Sequence, residues 1–311
     1  MADVASREMR RRLVAYLRRR GYLHDRRIGR AFLEVPREVF LPDELRRGGL
    51  PGVYRDDAIV TRRDPSTRAP TSSSSQPAIM AMMLEMLAVQ DGHRVLEIGA
   101  GTGYNAAILG HLAGPEGLVV TVDLDPDVAT GAARALRALG AGTHVVVADG
   151  ARGMPGMAPR TVDGVARGGI DRLVVTASSD AVPRAWHEQL DPEGRLVVPL
   201  RLSDDSDRAH AVTAFVRVEH GFDSVAVTAG GFMPLRRPPA EPKPGPTFTK
   251  VWPPDPAQAS GPRQLRGPLV DVARGDVSRL RIVVRYGAAR PPTRWVIRRA
   301  DHWLGIDPAI A

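Results

Sequence analysis

Apolar positions along this chain follow two periods, and the change from one to the other marks out its parts. Near the start, Met9, Leu13, Tyr16 and Leu17 recur at helical spacing across residues 7–20. A second helix is expected over residues 25–34. Pro36 ends it, and residues 35–41 read as extended or turn. The polar stretch 48–71, with Pro51, Pro65 and Pro70, reads as a loop, and loops of such length often act as lids or binding loops. A helix then starts near Pro77, a residue suited to a first helical position. Ser75 is placed to cap it, and Met80, Met83, Leu84 and Leu87 make one face.

From residue 94 the pattern becomes an alternation. Strands are expected at 94–98, 118–122, 144–148, 172–176 and 195–200, with helices at 104–112, 126–139 and 183–190. Repeated β-then-α units predict a mostly parallel sheet covered on both faces. Strand then follows strand at 211–219 and 224–228, so an antiparallel hairpin is expected to end the sheet. Residues 236–267 are rich in proline, as in Trp252-Pro253-Pro254-Asp255-Pro256, and read as a partly extended linker. The tail beyond it holds a strand at 280–286 and another at 295–299. It is too small to hold a large core alone and is expected to pack back on the main domain. The predicted fold is α/β and Rossmann-like. It comprises an N-terminal helical and loop segment (1–76), a core (77–237), a linker (238–267) and a C-terminal extension (268–311).

Composition narrows the chemistry. The chain has no cysteine, which excludes disulfides, thiolate nucleophiles and cysteine metal sites, and no metal is expected. No apolar run is long enough to cross a bilayer, and the arginine-rich residues 1–20 lack the apolar centre of a signal peptide. A cytoplasmic location and no membrane partner are the expectation. The net charge is +8, and all basic residues except Lys243 and Lys250 are arginine. A basic surface suits an acidic partner, either nucleic acid or an acidic peptide, or is simply solvated. The arginines are not interleaved with aromatics, which counts against a base-stacking surface.

The strongest chemical signal is Val95-Leu96-Glu97-Ile98-Gly99-Ala100-Gly101-Thr102-Gly103-Tyr104. An apolar strand runs into three glycines at alternate positions and then into a helix. Such a turn lets a ligand approach the backbone and offers free N–H groups at a helix start. It suits the carboxylate and sugar of a nucleoside-like cofactor. The dinucleotide fingerprint has a different third glycine spacing, which points away from NAD. Asp123 ends the next expected strand, where a carboxylate can accept from both ribose hydroxyls. Asp149-Gly150 ends the strand after that, in a position for an adenine contact. Ligands of open parallel sheets sit at the carboxyl ends of strands, so the three elements converge on one crevice.

This constellation resembles the class I methyltransferase pattern. The flanks resemble the protein-L-isoaspartate O-methyltransferase family: Val35-Pro36-Arg37-Glu38-Val39-Phe40-Leu41-Pro42, Ser75-Gln76-Pro77, Asp149-Gly150, Val174-Val175-Thr176-Ala177, the run from Leu190 to Pro199, and Phe232-Met233-Pro234-Leu235. The resemblance covers residues 7–237. It implies S-adenosyl-L-methionine as methyl donor, S-adenosyl-L-homocysteine as product, and a carboxylate on an aspartyl or isoaspartyl residue of a peptide or protein as acceptor. It maps the active-site serine to Ser75. Cofactor contacts map to Glu97, Gly99, Gly101, Gly103, Asp123, Asp149 and Gly150. Acceptor contacts map to Ser73, Ser74, Gln76, Thr176, Ala177, Phe232, Met233, Pro234 and Leu235. A carboxylate of pKa about 3.9 is ionised at neutral pH, so it needs alignment and dryness and no general base.

Three departures from the family pattern change the rim of the pocket. They are Ser73-Ser74-Ser75 in place of Thr-Ile-Ser, an insertion at about residues 160–169, and the tail after 237. These resemble the branch that tailors ribosomally made peptides, in which a normal aspartate is methylated and the ester closes to an aspartimide. That branch is the leading expectation, with general repair of isoaspartyl residues as its alternative. A nucleic-acid methyltransferase is disfavoured, because no cysteine serves C5 chemistry and residues 176–179 read Thr-Ala-Ser-Ser where amino-methylating enzymes carry an Asn/Asp-Pro-Pro-aromatic motif. A non-catalytic peptide-binding module is disfavoured by the intact glycine turn. The oligomeric state is left open.

Overall fold

The computed structural model describes residues 2–154, 160–162, 165–167, 169–202, 210–236, 280–287, 295–298 and 302–308. The proline-rich linker expected at 238–267 lies outside them. The chain divides into two compact units, residues 1–150 with 170–174, and residues 151–169 with 175–311.

The first unit opens with helices α1 (Ala2–Arg19) and α2 (Arg26–Glu34). Asp25 caps α2, its carboxylate accepting from the amides of Arg27 at 2.6 Å and Ile28 at 3.3 Å. A 3-10 turn (Arg37–Phe40) and the short helices α3 (Asp43–Arg46) and α4 (Leu50–Val53) follow. The segment expected to be a loop instead holds α4 and an antiparallel hairpin, β1 (Ile59–Arg63) with β2 (Pro70–Ser74). Its tip is closed by Asp64, whose carboxylate accepts from the amides of Ser66 and Thr67 at 2.9 and 2.7 Å. The hairpin is polar because backbone bonds hold it, so hydrophobic alternation does not announce it.

Helix α5 (Pro77–Leu87) starts differently from the expectation. Its N-cap is Gln76, not Ser75, and the capping oxygen comes from Asp56, which accepts from the Ala78 amide at 2.8 Å and from Gln76 Nε2 at 3.2 Å. The carboxylate reaches in from the segment before β1, and Ser75 is left one residue outside the cap.

The alternation then appears as expected: β3 (Arg94–Ile98), α6 (Tyr104–Ala113), β4 (Leu118–Asp123), α7 (Pro126–Leu139) and β5 (Thr143–Val147). β3, β4 and β5 pair in parallel. Val95, Leu96, Ile98, Val119, Val120 and Val122 are all buried. Full burial of such side chains stabilises by roughly 1.5–3 kcal/mol each over exposure. α7 is amphipathic, burying Ala129, Ala132 and Leu136, and ends at Gly140 in a left-handed conformation. The chain later returns to the other side of β3, giving the order β8-β3-β4-β5. That reversal is the place where open α/β sheets leave a crevice at their strand ends.

The second unit begins with a short antiparallel pair, β6 (Arg160–Val162) and β7 (Val165–Arg167), in the stretch read as an insertion. β8 (Ile170–Val175) ends in this unit. α8 (Arg184–Gln189) leads into β9 (Leu190–Arg201), β10 (His210–Val218) and β11 (Gly221–Ala229), paired antiparallel. The tail adds β12 (Leu280–Tyr286), β13 (Trp295–Arg298) and β14 (His302–Pro308), in the order β9-β10-β11-β12-β14-β13. The expected terminal hairpin is thus a larger antiparallel array, with β14 paired on both sides. The Tyr286 hydroxyl donates to the carbonyls of Val182 at 2.9 Å and Pro183 at 3.2 Å, and its ring lies among His187 and Phe222.

Candidate active site

The glycine turn follows β3 directly. Gly99, Gly101 and Gly103 have φ of 100°, 51° and 88°, where side chains are strained. The amides of Gly99 and Ala100 donate to the Val122 carbonyl at 2.8 and 3.1 Å, which ties the turn to β4. Gly101 has a further reason to lack a side chain. A Cβ there would lie 3.1 Å from the carbonyl oxygen of Ser73, so the end of β2 passes against the turn. The structure thereby brings Ser73 and the glycine turn together in one unit.

Asp123 stands at the end of β4, half-buried. Its carboxylate accepts from the Gly101 amide at 3.2 Å and from the Asp125 amide at 3.1 Å. Asp149 is half-buried just beyond β5, and Gly150 is buried where a Cβ would run into Ile98 Cγ2. Three strand ends therefore present a glycine turn and two carboxylates, as the spacing predicted. The small turn and these acids fit an amino-acid and ribose-bearing donor.

Glu97 lies beneath the turn and is completely buried. It accepts from Asn105 Nδ2 at 2.7 Å and Thr121 Oγ1 at 2.6 Å. Burial, chiefly, pushes its carboxyl up to about 7, against the lowering pull of those two hydrogen bonds. It binds the first turn of α6 to β4, with its oxygens turned to protein partners.

Ser75 is half-buried, and its hydroxyl makes no hydrogen bond among the described residues. Its carbonyl accepts from Arg37 Nη2 at 2.9 Å, and the buried Ser74 hydroxyl accepts from Arg37 Nε at 3.3 Å. Gln76 is engaged with Asp56. The motif from Val35 to Pro42 assigns Arg37 no role by itself. An arginine set between apolar Val35 and Phe40 was the available signal. The guanidinium of Arg62 on β1 meets Asp125 and Asp127 at 3.1 Å each, partners that no local pattern announces.

In the second unit, the remaining acceptor candidates are drawn together. The Ser178 amide donates to the Met233 carbonyl at 2.8 Å and the Leu235 amide to the Ser178 carbonyl at 2.7 Å. This pins residues 233–235 beside Thr176 and Ala177. Thr176, Ala177, Phe232, Met233 and Leu235 are half-buried, and Pro234 is exposed. Among the described residues no group of acidic and histidine side chains could hold a metal, and no helix is long and apolar enough to cross a membrane.

The sequence profile of protein-L-isoaspartate(D-aspartate) O-methyltransferase matches residues 8–228. The chain belongs to that family. The protein-L-isoaspartate O-methyltransferase of Methanopyrus kandleri is 38% identical over 200 residues, 64% of this chain and 79% of the relative. That of Hyperthermus butylicus is 35% identical over 238 residues, 74% of this chain and 89% of the relative. A solved protein-L-isoaspartate O-methyltransferase superposes with a TM-score of 0.63 at 32% identity, over 73% of this chain and 66% of that one. A Plasmodium falciparum structure in complex with S-adenosyl-L-homocysteine shares the fold at 15% identity, TM-score 0.58. This family member is accordingly an S-adenosylmethionine-dependent methyltransferase. The family match ends at residue 228, so β12, β13 and β14 lie beyond it.

Proposed function

We propose that this family member methylates the free carboxylate of L-isoaspartyl residues in proteins and peptides, as a repair-type enzyme. The observation that carries this reading is the approach of Ser73 to Gly101. It sets the acceptor serine strand against the donor turn, two residues before a Ser75 hydroxyl that makes no hydrogen bond among the described residues. The names of the relatives, at 38% and 35% identity, support isoaspartate as the acceptor.

When bound, S-adenosylmethionine supplies a sulfonium methyl whose C–S bond breaks as a C–O bond to the acceptor carboxylate forms, with no proton to move. The backbone of Gly99, Gly101 and Gly103 would hold the amino-acid end of the donor. Asp123 would accept from the ribose hydroxyls, and Asp149 with Gly150 would hold the adenine. Glu97 holds the turn from below through Asn105 and Thr121. The Ser75 hydroxyl would donate to one oxygen of the acceptor carboxylate, leaving the other free to react. Ser73, Ser74 and Gln76 hold that serine in line. On the second unit, Thr176, Ala177 and residues 232–235 carry the expected acceptor contacts.

The test is methyl transfer from labelled S-adenosylmethionine to several unrelated isoaspartyl peptides and their aspartyl counterparts. Base-labile esters on the isoaspartyl set alone are expected. A second reading is methylation of a normal aspartate in a constrained peptide, the ester then losing methanol to form an aspartimide. It is favoured by the Ser73-Ser74-Ser75 hairpin, which carries Arg62, Arg63 and Arg68 next to the acceptor strand. Inactivity on every isoaspartyl peptide, with turnover of a macrocyclic aspartyl peptide, would put it in place of the first.

A further inference from the structure

Arg37 is fully buried, yet none of its partners is a carboxylate. Its five guanidinium N–H groups are spent on two stretches of chain. Nη1 donates to the carbonyls of Val53 and Arg55 at 3.0 and 3.1 Å, and Nη2 to that of Asp57 at 3.1 Å. On the other side Nη2 donates to the Ser75 carbonyl at 2.9 Å, with the Ser74 carbonyl at 3.5 Å, and Nε donates to the Ser74 hydroxyl at 3.3 Å. The guanidinium carbon lies 5.9 Å from the ring centre of Tyr104, the first residue of α6 after the glycine turn. Even the Arg37 amide is used, donating to the Tyr54 hydroxyl at 3.1 Å.

Burying a guanidinium strips it of hydration at a large cost, and a packed apolar side chain often serves stability as well or better. What a planar fork offers that an apolar group cannot is fixed direction at several acceptors at once. Here the fork converges on the peptide groups of Ser74 and Ser75, and its plane lies near the residue that follows Gly103.

We propose that Arg37 is a positioning residue for methyl transfer: its fork holds the Ser74–Ser75 backbone so that the Ser75 hydroxyl meets the acceptor carboxylate in line with the donor turn. This rests on the reading that Ser75 receives the acceptor. A misplacement of about 1 Å in such an alignment can cost on the order of a hundredfold in rate.

The test is a double-variant cycle of Arg37→Lys and Ser75→Ala, read by turnover of an isoaspartyl peptide and by calorimetry of S-adenosylmethionine binding. Lysine keeps the charge, and its single ammonium cannot span both stretches. In the wild-type background Arg37→Lys is expected to lower kcat by about tenfold or more, with donor Kd within about twofold. In the Ser75→Ala background it is expected to add less than about twofold, because the group it positions is gone. Additive losses, or donor affinity falling in parallel with kcat, would overturn the proposal. If Arg37→Lys does not fold, Ser74→Ala removes the Nε acceptor instead. A loss of about threefold in kcat that vanishes with Ser75→Ala is then expected, and an additive loss counts against the role. If the wild-type chain methylates no isoaspartyl peptide, the functional reading fails, and hydrogen exchange judges Arg37 separately. Arg37→Lys should speed exchange at Ser74, Ser75 and Gln76 with β3 and α6 unchanged. Unaltered exchange at those three amides would sink it.

Discussion

Ser75 and Glu97 do opposite kinds of work. Ser75 presents a hydroxyl without a hydrogen bond among the described residues, whereas both oxygens of Glu97 are occupied by Asn105 and Thr121. Replacing Ser75 with alanine should leave donor affinity unchanged by calorimetry and slow transfer by roughly tenfold or more, the scale of one hydrogen bond to a charged group. Unchanged turnover would remove Ser75 from the site. Glu97 makes a prediction about pH. Its carboxyl ionises near 7 when folded against 4.5 ordinarily, so the folded state holds a proton that the unfolded chain releases. The stability this gives is complete below about pH 4.5 and is lost as pH rises through 7. The stability of wild type minus that of Glu97→Gln should therefore fall between about pH 4.5 and 7 and level off above that, by on the order of a few kcal/mol in all. Paired urea titrations across that range measure it, and a flat difference would refute the assignment.

The elements that carry these residues differ in how well the sequence announced them. β3 and α7 were read with the bounds they have, because a buried parallel strand needs a continuous apolar run and an amphipathic helix needs its period. The β1–β2 hairpin was read as loop, since its strands offer Thr61, Arg62, Ser72 and Ser73 and little to bury. It is held by its backbone ladder and by Arg62, which reaches Asp125 and Asp127 at the start of α7. Asp125 also donates its amide to Asp123, so this ion pair links the hairpin to the carboxylate at the end of β4. Half-exposed pairs of this kind are worth about 0.2–1 kcal/mol. Arg62→Ala should barely move the melting temperature but raise KM for the acceptor severalfold. That rise should shrink at high salt, where the wild-type pair is already screened. A KM indifferent to the substitution would leave the pair without a role in acceptor binding.

At the scale of the whole molecule, the tail is part of the second unit's sheet. β12 pairs with β11 from Gly221 to Asp223, where Phe222 is fully buried, and Tyr286 ties the tail to Val182 and Pro183. A chain ending at Arg236 would uncover that strand edge and the Phe222 ring. It should melt at least about 5 °C lower and aggregate on warming, as scanning calorimetry and light scattering would register. An unchanged melting temperature would mean the tail is dispensable for stability, and its place beyond the family match would then need another reason.

The sequence alone determined the α/β alternation, the glycine turn and the two acids at successive strand ends, because each depends on local rules: strand period, chain reversal at small residues, and a parallel sheet that points every strand end one way. Only the tertiary structure decided what surrounds Ser75. Asp56 caps α5 from about twenty residues away in the chain, Arg37 reaches Ser75 across 38 positions, and Ser73 closes against Gly101. Those contacts join polar groups distant in sequence, and no period along the chain encodes which carbonyl a buried guanidinium will find.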